Sequence, residues 1–186
     1  MTPKKMLAVI ILVAAITVIA VRLNNRNRVV LNLNSQMQKV MKIESNAFEN
    51  NGAIPTEYTC NGKSLQPILN ISEVPAGAAG LALIVDDPDA PSGDFVHWTL
   101  WNLPPRTQEI DGSNLPAGTT EGKNGAGQNG WIAPCPPGGI HHYNFKLYAL
   151  DTTLSLPSSA GKTELEEAMK GHIMETALLT GLYENK

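Results

Sequence analysis

Leu81-Ala82-Leu83-Ile84-Val85-Asp86-Asp87-Pro88-Asp89-Ala90-Pro91-Ser92-Gly93-Asp94-Phe95-Val96-His97-Trp98-Thr99-Leu100-Trp101-Asn102-Leu103 holds two apolar runs around a polar, proline-bearing middle. Residues 81–85 and 99–103 have the length and apolar weight of buried strands. Between them, residues 86–98 carry four aspartates, two prolines and one histidine. Proline fixes φ and lacks an N–H, so this segment is not the middle of a strand. It reads as a rigid loop across a sheet end that holds Asp87, Asp89 and His97 in set positions. Loops fixed by a scaffold are where binding residues gather. A solvated turn is the plain alternative, because Asp and Pro are ordinary turn residues. A second polar cluster decides between them.

That cluster is Trp131-Ile132-Ala133-Pro134-Cys135-Pro136-Pro137-Gly138-Gly139-Ile140-His141-His142-Tyr143. It feeds an alternating strand over residues 144–150, with Phe145, Leu147 and Ala149 on one face. Prolines stiffen the loop, and Gly138 and Gly139 leave backbone N–H groups open to an anion. His141 and Tyr143 lie two apart at the strand start, so alternation sends both to one side and His142 to the other. With the two strands as near neighbours, one sheet end gathers Asp87, Asp89, His97, His141 and Tyr143.

Elsewhere the signals are local. Residues 41–45 alternate as a strand, 48–61 read as loop, and 67–71 form a short strand before a turn at 74–77. Apolar residues are sparse from 104 to 130, and a loop of that length in a compact domain tends to be functional. The last element reads as a helix over 163–179. Thr163 and Glu166 have capping-box spacing, Leu165, Ala168, Met169, Ile173, Ala177 and Leu178 mark a stripe, and Gly181 suits the stop. Gly171 inside it would cost about 1 kcal/mol against Ala. His172 on this helix reads as a packed or exposed residue rather than a ligand. Charged residues make up only 17%, while Gly (16) and Pro (13) are plentiful, a mix that suits short strands and turns better than a helical bundle. A net charge of −3 without a basic stripe excludes nucleic acid as a partner.

The N-terminus stands apart. Lys4 and Lys5 precede an uncharged apolar run over 6–21 that closes at Arg22. A membrane helix needs roughly 17–20 such residues. An uncleaved anchor is favoured over a cleaved signal peptide ending near Val18-Ile19-Ala20. Arg22, Arg26 and Arg28 balance Lys4 and Lys5, so the positive-inside rule leaves orientation open. Both readings put the domain outside the cytoplasm, membrane-anchored or, after cleavage, secreted or periplasmic. The expected organisation is an anchor or signal over 1–22, a polar linker over 23–39 and a domain over 40–186. Cys60 and Cys135 are the only thiols. An exported chain permits one disulfide between them, but the balance falls toward two free thiols. A nucleophilic Cys135 with His141 or His142 as base is the rarer third option.

Asp87-Pro88-Asp89-Ala90-Pro91, His97-Trp98, and Pro134-Cys135-Pro136-Pro137-Gly138 followed by His141 and Tyr143 resemble the two signature regions of the phosphatidylethanolamine-binding protein family, most of all its bacterial Raf-kinase-inhibitor-like branch. Tyr58-Thr59-Cys60-Asn61-Gly62 and Glu164-Leu165-Glu166-Glu167-Ala168-Met169-Lys170-Gly171-His172 are similar to that branch too. The likeness runs from about Ile43 to Tyr183, and four motifs in order are highly specific. It implies a mainly β, Greek-key fold of two antiparallel sheets, here with a C-terminal helix and a preceding membrane helix. It also implies a small pocket for phosphate-bearing head groups. The expected binding set is Asp87, Asp89, His97, Pro136, Gly138, His141 and Tyr143. Two positions depart from the pattern: His142 stands where the family usually has Arg, and Ile132-Ala133 stand where it usually has Gly-Gly. An Ala side chain narrows a place where backbone meets ligand.

A phosphate beside two ionised carboxylates requires protons or cations between them. The expectation is that Asp87 and Asp89 raise the pKa of His97 or His141 above about 6.5. A phosphoethanolamine or phosphocholine, carrying both signs, fits such a site. No His-Glu-x-x-His or Gly-x-Ser-x-Gly motif is present, so a metal-dependent or serine hydrolase is the weaker alternative and no cofactor is expected. An inhibitor acting on a partner enzyme is the third class. Eukaryotic relatives suggest kinases as targets, but an exported domain would not meet them. The expected partners are therefore a phosphate-containing anion or phospholipid head group and, through the N-terminal segment, a membrane.

Overall fold

The computed structural model describes residues 19–30 and 39–185. The chain divides into two compact units, Met1–Val40 and Met41–Lys186. In the first, residues 19–30 are helical. Among the described residues no helix is long and apolar enough to cross a membrane. The anchor expected over 6–21 lies, except for its last three positions, outside the described residues.

The second unit is mainly β. Strands β1 (Lys42–Ser45), β3 (Leu69–Ser72) and β6 (Glu109–Ile110) form a three-stranded sheet in the order β1-β3-β6. The larger sheet contains β2 (Gly52–Ala53), β4 (Gly80–Asp87), β5 (Phe95–Leu103), β7 (Thr120–Glu121), β8 (Ile140–Leu150) and β9 (Ile173–Glu184), in the order β2-β9-β8-β4-β5-β7. Both sheets are antiparallel except for the parallel pair β2–β9.

Burial explains the apolar runs. Leu81, Leu83 and Val85 on β4 join Phe145 and Leu147 of β8 in one core with Ile43, Leu69, Ile71 and Ile110 of the smaller sheet. Ala82 and Ile84, on the other face of β4, join Trp101, Leu165 and Met169 in a second core under the helix Lys162–Met169. A central strand covered on both faces must be apolar at successive positions, so β4 shows no alternation. Each fully buried Leu, Val or Ile contributes about 1.5–3 kcal/mol.

Two elements differ from their sequence reading. The strands flanking the first loop run further than expected: Asp87 pairs with Phe95, which leaves only residues 88–94 as the connection. Pro88 ends β4, and the two aspartates before it stay in the strand because each finds a cation or N–H partner.

The second difference is larger. The helix over 163–179 is instead the eight-residue helix Lys162–Met169, followed by the twelve-residue strand β9. Its cap sits two residues earlier than the Thr163/Glu166 spacing suggested: the Gly161 N–H donates to Glu164 Oε2 at 3.0 Å. Gly171, at φ +79°, turns the chain out of the helix. Beyond it Ala177 and Leu179 are buried while Leu178 is 55% exposed, which is the period of a strand. β9 then pairs with β8 along nearly its whole length, from Ile140↔Glu184 to Leu150↔Ile173.

Gly171 and Gly138 both have open space where a Cβ would be placed, but only Gly171 has positive φ. Gly171→Ala is therefore expected to lower stability by about 1–2 kcal/mol through backbone conformation alone. Gly138→Ala should shift the urea midpoint little. Equilibrium denaturation of both variants checks the pair.

Candidate functional site

The ends of β4, β5 and β8 meet at one end of the larger sheet. β4 lies between the other two, with Asp87 opposite Phe95 on one side and Asp86 opposite Asn144 on the other. β8 runs on past the end of β4, carrying His141 beside it. Alternation along β8 buries His141 and Tyr143 and leaves His142 exposed. The result is a cavity of about 240 Å³. Asp87, Ser92, His97 and His141 supply its polar side chains, and Pro91, Phe95, Ile132 and Pro136 supply much of its apolar wall. A drug-sized pocket holds about 300–1,000 Å³, so this one suits a small head group rather than an acyl chain. Among the described residues no Lys or Arg lines it.

Asp87 is almost fully engaged by the protein. Its Oδ2 accepts the Nδ1–H of His141 at 2.7 Å, and its Oδ1 accepts the backbone N–H of Asp89 at 2.9 Å. His97 donates its own Nδ1–H to the Ile132 carbonyl at 2.7 Å, and the Ile132 N–H returns a bond to the His97 carbonyl at 2.9 Å. This reciprocal pair sews the second loop to β5. Trp131 packs beside it, 6.2 Å from the His97 ring and 6.0 Å from Trp98 between centroids.

The electrostatics correct one expectation. His97 is held below the ordinary imidazole value, not above it. Burial penalises the charged ring, and the Ile132 carbonyl and the carboxylates of Asp87, Asp86 and Asp94 pull the other way without overcoming it. Tyr143 is pushed well above the ordinary phenol range, by burial first and by the Asp87 charge second, so it stays protonated. Its ring stands edge-on to His97 at 5.1 Å, and its buried hydroxyl has no hydrogen-bond partner among the described residues.

Asp87, His97, Pro136 and His141 thus come together at the cavity; Asp89, Gly138 and Tyr143 do not line it. Tyr143 stands beside His97, fully buried. Gly138 sits on the exposed bend before β8. Asp89 turns outward to His142, accepting the backbone N–H at 2.8 Å and Nδ1–H at 2.7 Å. These bonds hold the Asp89 carboxyl below its usual value.

Cys60 and Cys135 are joined, with Cα atoms 5.4 Å apart, so the free-thiol and nucleophile readings of Cys135 are corrected. The two strands of chain are also tied by the Cys60 N–H to the Pro134 carbonyl at 3.0 Å. The sequence admitted the disulfide but leaned toward free thiols, the two positions being 75 residues apart. Lys162 was singled out by no motif. Its Nζ binds Asp86 Oδ2 at 2.6 Å and also Asp94, anchoring the end of the first loop to β4. Lys146 meets the same Asp86 oxygen at 2.6 Å. Among the described residues no three of His, Cys, Asp and Glu are grouped to hold a metal ion.

A family model described as phosphatidylethanolamine-binding protein matches residues 44–184. A protein of the UPF0098 group from Methanothermobacter thermautotrophicus is 45% identical over 148 residues, covering 77% of this chain and 98% of the relative. A Mycobacterium tuberculosis relative whose name includes "lipoprotein" is 38% identical, covering 77% of this chain and 72% of its own. Among solved structures, a phosphatidylethanolamine-binding protein homologue from Chlamydia trachomatis superposes with a TM-score of 0.76 at 40% identity, covering 80% of this chain and all of that one.

The disulfide fastens the loop that supplies Ile132, Ala133 and Pro136 to the cavity. Replacing both cysteines by alanine is expected to lower stability by about 2–4 kcal/mol, mainly by freeing the unfolded chain. Urea denaturation of the double variant measures this. Thiol titration of the unfolded, unreduced wild type should find no free cysteine.

Proposed function

The chain belongs to the phosphatidylethanolamine-binding protein family, matching its model over residues 44–184, and on that premise we propose that its domain binds a small phosphate-bearing anion or head group in the cavity at Asp87, His97 and His141. The observation that carries this reading is the cavity's make-up. A cavity of about 240 Å³ with largely apolar walls presents a carboxylate, a hydroxyl and two imidazoles, with Pro136 at its side. Apolar walls exclude water and strengthen each polar contact made inside. His141 is the group best placed to take the anion, because Asp87 fixes its ring by the bond at Nδ1 and leaves Nε2 for the ligand.

We place the domain outside the cytoplasm, attached to the membrane or released from it. The apolar segment over residues 6–21 supports this. So does the disulfide, since such bonds persist in oxidising compartments. The lipoprotein name of a relative points the same way.

Calorimetric titration with phosphoethanolamine tests the site. His141→Ala removes a cavity imidazole and takes away a hydrogen bond from buried Asp87, so affinity should fall by about tenfold or more. His142 lies on the opposite face with Asp89, and His142→Ala should change affinity by less than about threefold. Equal losses in the two variants would mean that the anion is held elsewhere.

A further inference from the structure

The hydrogen bond from His97 to Ile132 fixes more than a ring position. A carbonyl oxygen only accepts, so the proton of the neutral ring sits on Nδ1. The other nitrogen, Nε2, then carries a lone pair, and no group among the described residues donates to it. The ring lines the cavity and is only 3% exposed. Phe95 and Tyr143 stand edge-on to it, each at 5.1 Å, so it cannot turn over without breaking both the Ile132 bond and this packing. Burial also disfavours a second proton on this ring. His97 therefore offers the ligand an acceptor.

The groups around it sharpen the point. Asp87 is an acceptor with both oxygens already engaged. On the far face of β4, Asp86 and Asp94 are paired with Lys162, and Asp86 also with Lys146. Asp89 is turned to His142, and Tyr143 is a neutral phenol. His141 becomes a donor at Nε2 when it takes a second proton, and Ser92 brings a hydroxyl to the wall. A fully ionised oxyanion has only acceptors and would meet the His97 lone pair with a lone pair of its own.

We propose that the cavity selects a singly charged phosphate or phosphomonoester group that keeps a P–OH, and that this hydroxyl donates to His97 Nε2. The inference rests on the anion-binding reading above and goes beyond it by naming the protonation state and ester class. A site built around a hydrogen-bond donor on its ligand rejects an analogue lacking that donor, because its own buried group is left unpaired. Phosphodiesters, including the head groups of intact phospholipids, have no P–OH and bind weakly. Free phosphate and monoesters such as phosphoethanolamine bind well.

Methyl phosphate and methyl sulfate provide the test. Below the second phosphate pKa of about 6 both are monoanions of the same shape, and they differ by one hydroxyl proton. Calorimetry on the wild type at a pH of about 5.5 should show methyl phosphate at least about tenfold tighter than methyl sulfate. Phosphoethanolamine should exceed the diester glycerophosphoethanolamine by a similar factor, which separates free monoesters from lipid head groups. His97→Phe keeps a ring in place and deletes the acceptor. In that variant the phosphate-to-sulfate ratio should collapse to within about twofold. Equal affinity for the two methyl esters in the wild type, or for phosphoethanolamine and its diester, overturns the proposal while leaving anion binding intact. A His97→Phe protein that binds and still discriminates overturns the role of His97. Binding of none of these anions overturns the anion-binding reading and this proposal with it. If the variant fails to fold, the wild-type ratios alone decide.

Discussion

Asp87 and His141 meet at 2.7 Å inside the protein, and neither could be buried alone. A carboxylate taken from water costs several kcal/mol unless hydrogen bonds replace its hydration. Here two replace it, one from the His141 ring and one from the backbone of Asp89. That demand dictates geometry. β8 has to lie beside β4 and continue past its end, and the chain has to turn at Pro88 so that the Asp89 N–H points back. The cavity is the space left where these three conditions are met and Pro91, Phe95 and Pro136 close the sides.

The neighbouring aspartate solves the same problem on the opposite face. Alternation sends Asp86 toward the helix, where it is fully buried and receives Lys146 from β8 and Lys162 from the helix. Buried ion pairs are weak evidence for stability, since desolvation offsets most of the attraction. Their value here is in register. A slip of β4 by one residue would exchange the two aspartates between faces, separating Asp86 from its lysines and Asp87 from His141. Lys162 adds a consequence for the site. Because it also holds Asp94, it ties the helix, the central strand and the end of the first loop to one another.

Continuous apolar runs were enough to read the central strands, and alternation was enough to split His141 and Tyr143 from His142. Both signals are local. The motifs on the two loops brought Asp87, His97, Pro136 and His141 to one place through the family resemblance they carry, although Asp87 and His141 lie 54 residues apart. What failed was whatever depends on a partner far along the chain. The stripe through Leu165 and Met169 is a true helical face, but Ile173, Ala177 and Leu178 prolonged it by coincidence. The adjacent Leu178 and Leu179 masked the alternation of β9, whose conformation is fixed by β8 about thirty residues earlier. The bond between Cys60 and Cys135 and the grip of Lys162 on Asp94 are likewise tertiary. Asp89 was legible as a polar loop residue, but its outward turn follows from His142. The family pattern usually has an arginine there.

The placement of charge leaves the cavity with few ways to recognise an anion. Lys146 and Lys162 serve Asp86, and His142 serves Asp89. Asp89, with its carboxyl held below the usual value by the His142 bonds, contributes stability above the unfolded carboxyl value of about 3.9 and loses it only as pH falls through the lowered value. Its charge is therefore constant through the range near pH 6 where a phosphomonoester gains or loses its second proton. Asp87, the Ser92 hydroxyl and the two imidazoles remain as the polar side chains of the cavity, and burial disfavours the charged form of His97. A site with several fixed cations would favour the most highly charged anion. On the proposed reading, a site with one carboxylate and one neutral imidazole acceptor would instead distinguish ligands by the protons they carry, which is a finer criterion than charge.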